Sequence, residues 1–402
     1  MFIGLPRQFW AALSFFLIFG ALFGLWGAHL PSIEDRIGDS ETALGLALLC
    51  ASVGLIIAAP LVAPLSKRVG TAKLLVAAWC VYLIAVSAVF WVHSVQLLML
   101  YMFVVGLMGG LIDVCVNAQV AITERETGRP LLSRAHAVWS LGGALVAGTA
   151  IWFLSLGLRD VHIIGALAVL MSVSIWASMN LYSKEHEART LDTVDAEGFT
   201  KTEQRQSISI WTSPVLLLMG LIALFGLVVE SGIMEWLPIY FADFRGESPA
   251  GTAMVFAVFS LVMFVARMLG DELKKHVREK HILVGGAILS GGALALGLFV
   301  DNNHLAMAVM SLAAVGIAFV YPLVTSRAAA YRVPGQSNEA AAGNIAVVTG
   351  VGYCALLIGP PVIGLLSEMV SHWWGIFFVA SCGPVMAVLA ALLPRQSKSQ
   401  DA

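Results

Sequence analysis

Long apolar runs alternate with short polar segments along almost the whole chain. One crossing of a bilayer needs about 20 apolar residues in a helix, and the 402-residue sequence holds twelve runs of about that length. The predicted spans are residues 9–30, 43–64, 72–92, 96–122, 136–158, 162–182, 213–241, 250–270, 281–300, 303–325, 341–366 and 372–393. The pattern therefore predicts an all-α membrane protein with 12 transmembrane helices.

A polar segment separates the first six spans from the last six. Residues 183–210 are rich in charged side chains and nearly free of aromatic ones, which is typical of a surface linker. We predict an N-terminal six-helix bundle over 1–182, a cytoplasmic linker over 183–212, and a C-terminal six-helix bundle with a short cytoplasmic tail over 213–402. Short basic connections, SKRVGTAK and GDELKKHVREK, follow the second and the eighth span, and their equivalent positions support two related bundles.

Lysine and arginine are distributed unevenly between the two ends of the spans. If both termini are cytoplasmic, only Arg36, Arg159 and Arg245 of the 23 basic residues fall in outside loops, and Arg267 falls at a membrane boundary. An excess of basic residues marks the cytoplasmic side of a membrane protein. We therefore expect a multi-pass protein of the bacterial inner membrane with both termini in the cytoplasm.

Composition argues against several other classes of protein. Hydrophobic residues make up 59% of the chain and charged residues 12%, against about 25% charged in an average soluble domain. The formal net charge of -2, without a basic tract, argues against nucleic acid as a partner. The five cysteines lack the spacing of a disulfide framework or a CxxC metal site. No Walker loop, HExxH or GxSxG motif occurs, so we expect neither an enzyme nor a bound cofactor or metal.

Two acidic residues stand inside predicted spans. A carboxylate at the centre of a membrane helix costs roughly 2.5 to 3.5 kcal/mol on insertion scales, so it is normally kept for a function. In the fourth span Asp113 shares one helical face with Asn117, and the alternative is a hydrogen bond that only packs helices. In the seventh span Glu230 precedes Ser231 and Gly232, which tend to loosen a helix. We predict proton coupling through Asp113, with Glu230 as the second candidate, whereas Glu235 is expected at the outer rim.

These features accompany a resemblance to a known family. The chain resembles transporters of the major facilitator superfamily, and within it the YbjJ-type inner-membrane branch related to fucose-permease-like sugar/proton symporters. The positions that carry the resemblance are Asp113, Asn117, Glu124 and Arg125, AHAVWSLGG at 135–143, ESGIMEWLP at 230–238, and GYCALLIGPPVIGLLSE at 352–368. The resemblance implies the major facilitator fold, with a cavity lined by the first, fourth, seventh and tenth spans.

The same resemblance selects the candidate substrate-binding residues. Those in or beside the expected cavity are Asn117, Trp26, Trp236, Tyr321, Thr325 and Asn344. The ring of Trp26 either contacts a hydroxylated solute or packs inside the bundle. Trp236 either stacks on a sugar ring or belongs to the aromatic belt at the membrane interface.

The superfamily's cytoplasmic latch motif, GxxxDRxGRR/K, is incomplete after the second span. Ala63 and Lys67 replace its first Gly and its Asp, although Arg68 is kept. The copy after the eighth span, with Arg267 and Asp271, is more complete. His136, at the start of the fifth span, either pairs with Glu124 or Glu126 as a gate or is a helix-end residue. We therefore count Arg68, His136, Arg267 and Asp271 as candidate gating residues.

The resulting hypothesis is a secondary active transporter that works by alternating access. We expect it to move a small polar solute, sugar-like or cyclitol-like, across the inner membrane by proton symport, as a monomer in the lipid bilayer. An exporter of drugs or metabolites that works by proton antiport is the alternative. A membrane sensor or scaffold that does not transport is a third hypothesis, although it would not need the two acids within the membrane.

Overall fold

The computed structural model describes residues 7–38, 40–127, 131–181, 213–331 and 341–394. The predicted linker at 183–212 lies outside this part of the chain, and so does the tail beyond residue 394. Within the described ranges the regular secondary structure is entirely helical.

The membrane-spanning helices are labelled α1 to α12 in chain order. They are α1 Arg7–Ile37, α2 Glu41–Val69, α3 Thr71–Val89, α4 Val95–Thr127, α5 Leu132–Ser155, α6 Arg159–Leu181, α7 Pro214–Phe244, α8 Pro249–His276, α9 Glu279–Leu298, α10 Asn303–Ala330, α11 Ala341–Met369 and α12 His372–Leu392. Among the described residues, 11 helices are long and apolar enough to cross a membrane, and α3 contributes a shorter apolar helix, Lys73–Val89. The predicted all-α fold is confirmed.

Two of these helices are irregular in their middle. Helix α7 is an α-helix up to Ser231 and continues with π-helical turns at Gly232–Trp236 and Tyr240–Phe244. Helix α10 consists of three α-helical pieces, which are Asn303–Ser311, Ala313–Ile317 and Val320–Ala330. The π-helical turn begins at Gly232, where the Ser-Gly pair was expected to loosen the helix.

The helices pack in two groups that meet along one seam. Helices α1 to α6 contact one another, and so do α7 to α12. Across the seam α5 packs along α8, α2 packs along α11, and α1 contacts α7 and α8. We call the two groups the N-half and the C-half. The terminal face is the end of the bundle at which α1 begins and α12 ends, and the other end is the opposite face.

Glycines let the backbones of α1 and α5 touch inside the N-half. A Cβ atom added to Gly142 on α5 would lie 2.0 Å from the carbonyl oxygen of Leu17 on α1. A Cβ atom on Gly20 of α1 would lie 1.8 Å from the carbonyl oxygen of Trp139. Small residues permit such close approach of membrane helices. The side chains on these two helices are therefore held in a fixed relative position.

A Gly142→Ala variant is expected to be less stable than the wild type by about 1–3 kcal/mol, because the backbones must move apart to admit the methyl group. The measurement is thermal unfolding of the purified protein in detergent, followed by tryptophan fluorescence. Gly148→Ala on the same helix is the matched control, since a Cβ atom there meets nothing within 4 Å. Equal unfolding temperatures for the two variants would contradict the close contact.

Candidate functional site

Asp113 lies inside the apolar part of α4. Asn117, one turn later on the same helix, is hydrogen-bonded to its carboxylate. Asn117 Nδ2 donates to Asp113 Oδ1 at 2.9 Å and to the main-chain oxygen of Asp113 at 2.9 Å. Both side chains are half-buried. In the described part of the chain no basic side chain pairs with Asp113. The sequence-predicted pair therefore forms, and it leaves the carboxylate without a counter-ion.

Three hydroxyl-bearing side chains of the C-half stand on α10 and α11, and two of them lie within reach of the charge of this carboxylate. Tyr321 on α10 and Thr349 on α11 share a hydrogen bond of 3.2 Å between their hydroxyl oxygens. Tyr353, one turn after Thr349, lies close enough to Tyr321 to interact with it. Asp113 is close enough to both tyrosines for its charge to act on them across the seam. We call Asp113, Asn117, Tyr321, Thr349 and Tyr353 the central polar site.

The chemistry of the central polar site suits recognition of a hydroxylated solute. An ionised carboxylate accepts hydrogen bonds, an amide both donates and accepts, and each hydroxyl can do either. A few polar groups that converge from an apolar wall are typical of small-molecule sites. Among the described residues no group of three or more His, Cys, Asp or Glu side chains could hold a metal ion.

A second polar cluster joins α5, α7 and α8. Arg267 Nη2 lies 2.8 Å from Glu230 Oε1, and the two side chains are 12% and 17% exposed. Arg267 Nη1 donates to Ser140 Oγ on α5 at 3.1 Å, so the guanidinium group bridges the two halves. His136 lies one turn before Ser140, close enough to interact with the charge of Arg267. Its ring packs against Phe16, with 5.1 Å between the ring centroids.

The partner of Arg267 was not predicted from the sequence. Arg267 was expected at a membrane boundary, as part of a latch with Asp271. It lies near the end of the apolar span Pro249–Gly270 and pairs with Glu230. An arginine inside a membrane span requires a partner, and Glu230 supplies the opposite charge. The side chain of Asp271 lies outside the described part of the structure, so its role in a latch stays a prediction.

Two other predicted substrate-binding residues are bonded to the main chain. Thr325 Oγ1 donates to the carbonyl oxygen of Tyr321 at 2.9 Å, within its own helix. Asn344 is fully buried, and its Nδ2 donates to the carbonyl oxygen of Tyr331 at 2.8 Å. Thr325 is therefore bonded within α10, whereas Asn344 joins the end of α10 to the start of α11.

The predicted tryptophans are buried inside the bundle. Trp26 is 5% exposed and Trp236 is 1% exposed. The ring of Trp236 packs against Gly364 of α11, where an added Cβ atom would lie 2.8 Å from it. Trp236 is therefore packed between helices and is not exposed on the outside of the bundle. The substrate-binding role of both residues stays a prediction.

The remaining gating candidates lie near the terminal face. Arg68 is exposed close to the end of α2. The pairing of His136 with Glu124 does not form, because the Glu124 carboxylate accepts hydrogen bonds from the main-chain nitrogens of Leu131 and Leu132 at the start of α5. The N-terminus of a helix attracts a carboxylate in this way, so Glu124 ties α4 to the start of α5.

The two halves are also joined at the opposite face. The carboxylate of Glu368 on α11 accepts hydrogen bonds from Thr42 N at 2.8 Å and Ser40 Oγ at 3.2 Å, at the start of α2. His372 Nε2 lies 3.0 Å from Glu41 Oε1 and 3.6 Å from Asp243 Oδ2. We call Glu41, Asp243, Glu368 and His372 the opposite-face latch. These residues hold the start of α2 against α7, α11 and α12.

Sequence reasoning missed Thr349, Tyr353 and the opposite-face latch. Thr349 and Tyr353 are spaced four residues apart in an otherwise apolar span, and this spacing is the signal that could have found them. The latch residues stand at helix ends. Charged residues are common there, so nothing in their local sequence distinguishes them.

The sequence is similar to known membrane proteins. Residues 11–343 match the family description of the Major Facilitator Superfamily. An uncharacterized MFS-type transporter of Yersinia pestis is 27% identical over 92% of this chain and 91% of its own length. The uncharacterized transporter y4wD of Sinorhizobium fredii is 27% identical over 94% and 96%. The membrane protein MosC of Rhizobium meliloti is 22% identical over 96% and 90%.

Proposed function

This chain belongs to the Major Facilitator Superfamily of membrane transporters, and we propose that it moves a small polar solute, sugar-like or cyclitol-like, by proton symport. The observation that carries the proposal is the central polar site. There Asp113, a carboxylate without a counter-ion among the described residues, lies within reach of Tyr321 and Tyr353 of the other half, and Tyr321 shares a hydrogen bond with Thr349. A secondary transporter of this kind alternates access by moving its halves about a central site.

The charges inside the bundle support a neutral solute. Arg267 bridges the two halves, and Glu230 already pairs with it. Asp113 adds a carboxylate, and Tyr321, Thr349 and Tyr353 add hydroxyl groups. An anionic solute would meet a carboxylate without a free cation to offset the cost of its desolvation. The site therefore favours a neutral polyol over an organic acid.

The surroundings of Asp113 support proton coupling. A carboxylate in an apolar surrounding is most stable when it is paired with a base or protonated. Because Asp113 has an amide rather than a base as its partner, proton binding is the route by which its charge can be neutralised. Asn117 orients the carboxylate in either protonation state, since its amide can donate or accept.

The membrane orientation follows from the distribution of basic residues. We propose that the terminal face is cytoplasmic, that the protein resides in a bacterial inner membrane, and that it works as a monomer. The opposite face is then the outside, and the opposite-face latch closes the outer end of the seam. The fucose-permease-like branch of the superfamily remains the proposed relationship, with neutral hydroxylated solutes as the expected substrates.

Transport by purified protein in liposomes tests the proposal. With the outside more acidic than the inside, we expect accumulation of a neutral monosaccharide or cyclitol from a radiolabelled panel, and none after the gradient is collapsed with a protonophore. Organic acids and organic cations form the comparison panels. Extrusion of an organic cation in exchange for protons would establish the antiport alternative. Binding of polyols without any flux would support the sensor hypothesis.

A further inference from the structure

The segment from Ser231 to Trp236, which includes the first π-helical turn of α7, contains three buried polar atoms without a hydrogen-bond partner. They are Ser231 Oγ, Glu235 Oε2 and Trp236 Nε1, and within the described residues none of them is bonded. Buried polar groups in folded proteins are almost always paired, so an exception needs a physical explanation. Three exceptions within six residues mark this segment as unusual.

The backbone of the segment and its position are also unusual. Gly232–Trp236 is a π-helical turn, a conformation that occurs mostly at functional sites. This turn contacts α1 of the N-half as well as α11 and α12 of its own half. It lies between the Glu230–Arg267 ion pair and Asp243 of the opposite-face latch. The segment is therefore part of the closed end of the seam.

Glu235 is the residue of this segment that can exchange a proton. Its side chain is half-buried, and its Oε2 atom is hidden from solvent. Burial is the main influence on the charge of this carboxyl group, and no charged side chain acts strongly on it. Apart from Glu235, the titratable groups on α7 and on the helices packed against the segment are Arg7, His29, Glu34, Asp35, Arg36, Glu230, Tyr240, Asp243, Tyr353, Cys354, Glu368, His372 and Cys382.

The groups that could neutralise Glu235 are engaged elsewhere. His29 Nε2 lies 2.9 Å from His162 Nδ1, and Arg36 donates to the carbonyl oxygen of Phe90. His372 lies between Glu41 and Asp243. Within the described structure Glu235 is therefore a carboxyl group in the closed seam that lacks a cation.

We propose that Glu235 is a second proton-binding site, separate from Asp113, and that its protonation stabilises the closed opposite face. An ionised carboxylate that is partly hidden from water and has no partner is unfavourable, whereas the neutral acid is tolerated. When the halves separate at the opposite face, water reaches both oxygens of Glu235, and the carboxyl group can release its proton to that water. Closing the face again requires Glu235 to take a proton back from the same side.

This inference rests on the alternating-access movement of the proposed function, but not on the identity of the solute. Binding and conformation are reciprocally linked. If the closed form binds the proton more tightly, protonation shifts the equilibrium towards the closed form. Lowering the pH therefore closes the opposite face, and raising the pH opens it. A glutamine at position 235 mimics the neutral acid, so it should keep the face closed at every pH.

The distance between spin labels across the opposite face tests the proposal without solute or gradient. Leu158, before α6, and Leu305, at the start of α10, are 40% and 55% exposed, one in each half. The labels are attached to cysteines at these positions, with Cys50, Cys80 and Cys354 replaced by alanine. In lipid nanodiscs between pH 5 and 9, the wild type should gain a longer-distance population as the pH rises. Glu235→Gln should retain the short distance throughout.

Three further variants separate Glu235 from other titrating groups. Glu235→Asp keeps an ionisable group and should keep the pH response. Asp113→Asn should also keep it, because the central polar site lies elsewhere. His372→Gln removes the titrating histidine of the opposite-face latch and should leave the response of Glu235 in place. The proposal is overturned if Glu235→Gln responds to pH like the wild type, or if His372→Gln alone abolishes the response.

Discussion

An Asp113→Asn variant in liposomes is expected to lose uphill solute accumulation while it keeps exchange of labelled for unlabelled solute. Asparagine preserves the shape of the side chain and a hydrogen bond to Asn117, but it cannot bind a proton. A potential of 100 mV is worth about 2.3 kcal/mol per charge, which corresponds to about fifty-fold accumulation when one proton accompanies each neutral solute molecule. The variant should reach only equal concentrations inside and outside, as measured by uptake of radiolabelled solute.

A matched control for this experiment is available on the same helix. Glu126 is an exposed acid beyond the apolar part of α4, so Glu126→Gln should accumulate solute as the wild type does. Exchange measured in parallel reports whether Asp113→Asn is folded and binds solute. Wild-type accumulation by Asp113→Asn, with an unchanged dependence on pH, would exclude Asp113 as the coupling residue.

An Arg267→Met variant is expected to lose about 3–5 kcal/mol of stability, because it leaves the charge of Glu230 buried without its partner. The double variant Arg267→Met/Glu230→Met should recover most of this loss, since replacing a buried ion pair by apolar side chains is often neutral. Both effects can be measured by reversible denaturation in mixed micelles or by thermal unfolding. The double variant separates the cost of an isolated charge from the value of the pair itself.

The ion pair at the terminal face provides the control. Lys275 and Glu272 are 66% and 61% exposed, and exposed pairs contribute little to stability. Lys275→Met should therefore leave the unfolding midpoint unchanged. If Arg267→Met proved as stable as Lys275→Met, the bond between Arg267 and Glu230 would not contribute to holding α7 and α8 together.

The fold could be predicted because the length of an apolar run and the thickness of a bilayer are directly comparable. The run from residue 9 to residue 30, for example, corresponds to α1. From the sequence, Ser231 and Gly232 indicate where α7 first departs from α-helical geometry, but nothing more about this departure. How far the π-helical turns extend depends on packing against α1, α11 and α12, which no local sequence pattern reports.

The candidate site was predictable where it depends on spacing within one helix. Asp113 and Asn117 are one turn apart, so their hydrogen bond follows from helical geometry. Arg267 and Glu230 are 37 residues apart on different helices, and their pairing required the three-dimensional arrangement. The same holds for Tyr321 and Thr349, which are 28 residues apart. The role of Glu230 as a coupling acid stays a prediction, now with Arg267 as its partner.

The contact between Glu368 and the start of α2 bears on the order in which the molecule can be completed during synthesis. Ser40 caps the first turn of α2 as soon as the helix forms, by accepting a hydrogen bond from Ala43 N. The main-chain N–H of Thr42 donates its hydrogen bond to Glu368, which is 326 positions later in the chain. Until α11 has been translated and inserted, that turn has an exposed donor at the membrane surface. The second helix is therefore completed only by the eleventh, which is made much later in synthesis.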